Sequence, residues 1–427
     1  MQRSGGEPDP GWGEASRYAA HLDRGWDQFD RGALDAARRS AEEAHRVRPD
    51  DPDAPYLLGQ VAAAQGRLRE ALVWYERAAE ADASFPAPLV AAALVSLYDL
   101  GDHAQALDYA ERALALETLG VIDALEMHLV AADAERRGGA AMRAIARLSE
   151  MPEAETLEAA CRLLALHREQ PDVPPPAPDS IADPAVADAT GMLFFDADGE
   201  PLDEEEHEGV CQRLLDLGIR LGRLWQGLDR PDAAAHVARL LVHGFPDLAD
   251  AWYALAEAHM VGGEPQTAVR AALRSALLEQ DEPIPDFVPD ADALRGEVVE
   301  LLGAAPHPAL RELVGRAVPV FVHVADRVPP ELLLDGVDPR TPVLALGPRG
   351  PQQGQVIMGI AIYRRGLAFH AGYPEGLGDV LRELLYDEVA LALALPEEER
   401  KALLAAGTPS GDGDDDPDTG DGRTFDA

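Results

Sequence analysis

The residues of this chain best placed to do chemistry lie near its carboxyl end. Glu388 stands in the run GLGDVLRELLYDEVALALALPEEERKALL, where Leu381, Leu384, Leu385, Leu391, Ala392 and Leu395 recur at helical spacing. A carboxylate inside such a stripe needs a partner or must hold its proton. A salt bridge to Arg364 or Arg365, at the end of the preceding predicted strand, is the expected arrangement, with Leu391 packed into the core. His370 by itself reads as an ordinary strand-end residue. Further upstream, DADGE (196–200) begins like a calcium loop, but the later glycine and glutamate spacing is absent. It reads as a turn leading into an acidic helix start. Cys161 and Cys211 have neither metal-ligand nor disulfide-framework spacing, and each is expected to pack as a small apolar residue in a helix. No nucleophile elbow, phosphate-cradling loop or CxxC occurs.

The elements that must position Glu388 form a distinct carboxyl-terminal segment. DADALRGEVVELLG, from 291, reads as a helix. VPVFVHV (318–324), PVLALG (342–347) and QVIMGIAIYRRG (355–366) read as strands, from their β-branched runs and Pro/Gly boundaries. A long helix follows, broken at Pro396, then a short final helix. Residues 291–405 therefore predict a small α+β domain.

The amino-terminal half has another texture. Gly32, Gly66 and Gly101 are spaced by 34 and 35 residues, and each is followed by alanines at the same two offsets: Ala37/Ala44, Ala71/Ala78 and Ala106/Ala113. Glycine at a turn tolerates unusual backbone angles, and alanines seven apart on one helix face let a neighbouring helix approach closely. Leu58 and Gly59 supply the matching large-plus-small contact on the first helix of a hairpin. The pattern returns in Leu221, Gly222, Trp225, Ala234 and Ala238, then in Trp252, Leu255, Ala256, Gly263 and Ala268. A helix-hairpin step of this length, with these key positions, resembles the tetratricopeptide repeat. The resemblance covers roughly 16–150 and 207–280, with five repeats legible; 121–168 looks helical but repeats poorly, as a decayed repeat or a capping pair. It implies a mainly α chain: a tetratricopeptide-type α-solenoid over 16–168 and 207–282, followed by the α+β domain. A leader (1–15), a Pro-rich and acidic linker (169–206, with four prolines in 173–178) and an acidic tail (406–427) are expected to be extended or disordered.

The carboxyl-terminal segment resembles the minimal zincin-like metallopeptidases of bacteria. The likeness lies in the order of parts: a short helix, a V-x-V-x-V strand, the loop Asp326-Arg327-Val328-Pro329-Pro330, the strand end Ile360-Ala361-Ile362-Tyr363-Arg364-Arg365, and a helix with L-R-E-x-x-x-x-E. That family's final helix carries H-E-x-x-H-x-x-G-x-x-D, two His and the Asp binding zinc and the Glu activating water. Here the motif becomes Asp387-Glu388-Val389-Ala390-Leu391, with Ala394 at the glycine and Glu397 at the third ligand. Only the Glu is retained, and Leu391 cannot ligate. The resemblance therefore implies an inactive domain without bound zinc. The competing readings are a residual cation or water site built from Asp387, Glu388, Glu397 and His370, and a peptidase with altered metal ligands whose repeats recruit substrate.

Composition narrows the function classes. The chain carries 37 basic and 77 acidic residues, a net charge of −40, which repels nucleic-acid phosphates and anionic membranes. That acidity either favours a basic partner or only maintains solubility. No membrane-length apolar run or signal peptide is visible, so a reducing cytoplasm is expected. The resulting expectation is a protein-interaction scaffold holding a protein or peptide in its repeat groove, without cofactor; a purely structural assembly subunit is the third reading.

Overall fold

The computed structural model describes residues 10–171, 173–196, 199–348, 356–374 and 376–405. Two compact units divide the chain between Ala271 and Ala272. The division falls inside a helix, upstream of the 283–290 stretch where the sequence placed it.

The first unit is built of helix hairpins. They run α1 (Pro10–Asp30), α2 (Leu34–Val47), α3 (Asp53–Ala64), α4 (Leu68–Ala81), α5 (Ala87–Leu94), α6 (His103–Leu114), α7 (Val121–Arg137), α8 (Ala141–Glu150), α9 (Glu153–Glu169), α10 (Pro184–Phe194), α11 (Glu204–Gly227), α12 (Pro231–Gly244), α13 (Ala249–Val261) and α14 (Pro265–Leu278). The hairpin turns at Gly32, Gly66, Gly101 and Gly263 all take φ between +65° and +76°, the left-handed region that favours glycine. On the second helices, Ala37, Ala44, Ala71, Ala78, Ala106 and Ala113 are all 0% exposed. A larger side chain at any of them would separate the helices.

The extra residue in the 35-residue step has a structural home. The first helix of that hairpin widens into a π turn at Val95–Asp99, which takes up one residue without moving the hairpin's glycine. The π turn buries Ser96 and Leu97 and leaves Tyr98 exposed.

Helix α7 is enclosed along most of its length, including the acids Glu126, Asp133 and Glu135. Each is paired: Glu126 with Arg213 and Arg220, Asp133 with Arg136 and Arg137, Glu135 with Arg147. Burying such groups unpaired would cost several kcal/mol, on the order of 3–5 for a broken ion pair.

Two expectations for this unit are corrected. The stretch 169–206 is not an extended linker throughout: Pro184–Phe194 is helical, started by Asp183, whose side chain accepts the Ala185 N–H, and it buries Ala189, Thr190, Leu193 and Phe194. Apolar side chains on one face of that segment outweigh the upstream prolines. Helix α10 packs back on α9, and this hairpin is inserted where a regular repeat would stand, while α11 packs directly against α7. Residues 10–15 of the expected leader belong to α1; the remainder of the leader and the tail 406–427 lie outside the described residues.

The second unit comprises the end of α14, α15 (Ala291–Ala304), α16 (Pro308–Gly315), β1 (Phe321–Ala325), α17 (Pro330–Leu334), β2 (Val343–Leu346), β3 (Gly359–Tyr363), α18 (Arg364–Ala371), α19 (Leu377–Ala392) and α20 (Glu397–Ala405). Strand order is β1-β3-β2, with β1 parallel and β2 antiparallel to β3. Alternation along β3 splits the core: Ile360 and Ile362 join the α15/α19 side, Ala361 and Tyr363 the α17 side. The third strand ends at Tyr363, earlier than expected, and Arg364 opens α18. His370 is therefore a helical residue, its Nδ1 lying 2.9 Å from Gly366 O.

Candidate functional site

Two regions carry the candidate functional residues, the repeat surface and the surroundings of Glu388. In the repeats, close packing fixes the helix pairs. A Cβ on Gly59 would lie 2.4 Å from the Tyr75 ring, so only glycine fits there. Leu58 is buried beside it. Leu221, Trp225 and Leu255 are buried, Ala268 nearly fully so, and half-buried Trp252 donates from Nε1 to Pro246 O at 2.8 Å. Gly222 differs: nothing lies within 4 Å of a Cβ placed there. At the sequence offset where Gly59 has Tyr75, Gly222 has only the small Ala238, which leaves that space open. The tight glycine of that hairpin is Gly218, where a Cβ would lie 2.5 Å from Leu241. Neither Gly218 nor Gly25, which is tight against Leu57, was singled out by the repeat pattern.

A strip of aromatic side chains crosses the first helices. Trp26 on α1 and Tyr56 on α3 have ring centroids 5.9 Å apart, and Phe85, just before α5, lies 5.4 Å from Tyr56 edge to face. Gln60 donates to the Tyr56 hydroxyl at 2.8 Å. Burial pushes the Tyr56 phenol above its usual range, so it stays protonated and able to donate. All four side chains are half-buried, leaving apolar rings with polar tips at the surface. Tyr56, three residues before Gly59, was the cue available in the sequence, and its ring also packs on the repeat core.

The two thiols sit where burial disfavours ionisation. Burial raises Cys161 to about 12 and Cys211 to about 11, so neither forms a thiolate near neutrality. Of the DADGE stretch and its neighbours, the Glu200 N–H donates to Asp196 Oδ1 at 2.8 Å, and Phe195 pairs with Pro201. Asp203 and Glu206 then form a capping box opening α11. Ala197 and Asp198 of DADGE lie outside the described residues.

In the second unit the candidate ligands do not converge. Asp387 Oδ1 accepts from Arg400 Nε at 2.6 Å, on α20. Glu397 pairs with Lys401 at 2.7 Å, one turn along its own helix. Glu388 Oε1 accepts the backbone N–H of Ala345 at 2.9 Å. The expected salt bridge from Glu388 to Arg364 or Arg365 is absent, because those arginines face the opposite way: Arg364 bonds Asp326, Pro289 O and Val288 O, and Arg365 pairs with Glu282. Leu391 is 51% exposed and is not core; Val389 and Ala390 take the inward positions at that turn. Among the described residues no group of three or more His, Cys, Asp or Glu is placed to hold a metal ion.

The comparisons bear on the repeats. Residues 22–85 and 221–284 match the tetratricopeptide repeat family profile. The chain carries tetratricopeptide repeats. The profile covers less than a third of the chain and does not reach α15 or beyond. No protein of curated function matches in sequence. Among solved structures, PilF of Pseudomonas aeruginosa aligns over 63% of this chain and 95% of its own, at 14% identity and a TM-score of 0.39. PilW, described as a widely conserved type IV pilus biogenesis factor, aligns over 63% and 95% at 14% identity and a TM-score of 0.40. YrrB, described as a TPR protein with an unusual peptide-binding site, aligns over 57% and 93% at 13% identity and 0.32. Superpositions this loose carry no argument about function. Among the described residues no helix is long and apolar enough to cross a membrane.

Proposed function

We propose that this chain is a protein-interaction scaffold whose tetratricopeptide repeats hold a protein or peptide partner. The observation that carries this reading is the aromatic strip of Trp26 on α1, Tyr56 on α3 and Phe85 just before α5, within a profile-matched stretch. Stacked hairpins of this type present one face of their first helices as an extended binding surface. The net charge of −40 favours basic partners over nucleic acid or anionic membranes.

The carboxyl-terminal unit acts in this reading as a second binding module or cap, an inactive relative of the minimal zincin-like metallopeptidases. The kinship rests on the order of its parts. The inactivity rests on the side chains: Asp387 and Glu397 are each ion-paired, position 391 carries a leucine, and Glu388 is held by a backbone N–H.

A photo-cross-linking residue at position 60 tests the scaffold reading in intact cells. A protein partner cross-linked there, and not from a probe at position 300 on α15, is expected. Equal yields from both positions would overturn it. Chelator-sensitive peptide cleavage by the purified full chain would overturn the inactive-domain part.

A further inference from the structure

The inserted α9–α10 hairpin creates a cleft that a regular repeat lacks. It lies between the amino end of α7, the segment 177–181 and α10, and has a volume of about 870 Å³. That is within the usual range of ligand clefts, about 300–1,000 Å³. Its apolar lining includes Ile122, Met192 and Phe195, and four carboxylates also line it: Asp123, Asp179, Asp188 and Asp196. No lysine or arginine is among its lining residues.

The four acids are not equivalent. Asp123 is ion-paired with Arg213, and Asp196 accepts the Glu200 N–H. Asp179 and Asp188 are exposed, and among the described residues neither takes part in an ion pair. The amino end of α7 contributes roughly half a positive charge, which Asp123 in its first turn already offsets. The rim is therefore negative above an apolar floor.

We propose that this cleft binds a short peptide segment in which lysines or arginines alternate with large apolar side chains. The apolar side chains would enter beside Ile122, Met192 and Phe195, and the cations would meet Asp179 and Asp188. This rests on the scaffold reading and assigns it a second contact, away from the Trp26–Phe85 strip.

The test uses the full chain and a labelled peptide of alternating lysine and leucine, read by fluorescence anisotropy. Asp179→Asn/Asp188→Asn should weaken binding at least about tenfold, with an unchanged melting curve because both side chains are exposed. Glu300→Gln/Glu312→Gln, an equal charge change on α15 and α16 outside the cleft lining, should change it less than about twofold. A lysine–serine peptide should bind at least about tenfold more weakly than the lysine–leucine one. Equal loss in the two double variants would reveal attraction to the acidic surface alone and overturn the proposal, as would equal binding of the two peptides. If the cleft and control variants lose binding equally, or the two peptides bind equally, while the position-60 cross-link still forms, the cleft proposal has failed without the scaffold reading.

Discussion

Glu388 on α19 and Ala345 on β2 are joined by one hydrogen bond, Oε1 accepting the backbone N–H at 2.9 Å. β2 is an edge strand, and Ala345 sits opposite Ile360 between the pairs that bond to β3, so its N–H points away from the sheet. An edge donor left bare costs free energy when buried and invites foreign strands. Glu388 closes it. Glu388→Ala should therefore destabilise the chain by about 1–3 kcal/mol, whereas Glu388→Gln, which keeps an acceptor oxygen, should lose less than about half of that. Denaturant titration distinguishes the two; equal losses would show that the charge and not the bond matters.

Glycines at corresponding repeat positions should respond in opposite senses. Gly59→Ala forces a Cβ against the Tyr75 ring and should cost about 1–3 kcal/mol. Gly222→Ala meets open space inside a helix and should be neutral or stabilising by up to about 1 kcal/mol. Paired thermal melts check this, and Ala71→Leu, at a fully buried second-helix position, should behave like Gly59→Ala.

The carboxyl-terminal unit should not fold from residue 291. Leu273 and Ala276 of α14 pack with Val328, Leu333, Ala361 and Tyr363. Arg340 pairs with Glu279 at 2.8 Å, and Arg327 donates to Glu279 O at 2.9 Å. A fragment starting at 265 should give a cooperative melt, and one starting at 291 should lose it or melt at least about 10 °C lower, the size expected for losing a few kcal/mol in a domain this small.

Acidification should weaken the first unit before its carboxylates titrate. Burial holds His128 below its ordinary 6.5, with Arg147 acting in the same sense and Glu153 against it. Burial likewise depresses His45. The unfolded chain takes up these protons first, so the contribution is complete above about pH 6.5 and is lost as pH falls below that value. Melting temperature should drop between pH 7.5 and 5.5, and His128→Gln should reduce the drop. A pH-independent melt over that window would contradict the assignment.

Periodicity made the repeat hairpins legible in the sequence, because packing requirements act locally: a left-handed turn needs Gly32 or Gly66, and close helices need Ala37 or Ala71. The helix–strand–helix order of 291–405 was legible for the same reason. The sequence could not place the α9–α10 hairpin, since the prolines of 173–178 speak for extension while the burial of Leu193 and Phe194 depends on α9 being there to receive them. It could not assign the partner of Glu388 either. Helical spacing puts the carboxylate on the inner side of α19, but whether it meets an arginine or a strand edge depends on where β2 and Arg364 come to lie. Leu391 became a surface residue for the same kind of reason: α19 rolls to bury Val389 and Ala390, and that rotation is set by what packs against the helix, not by the helix's own pattern.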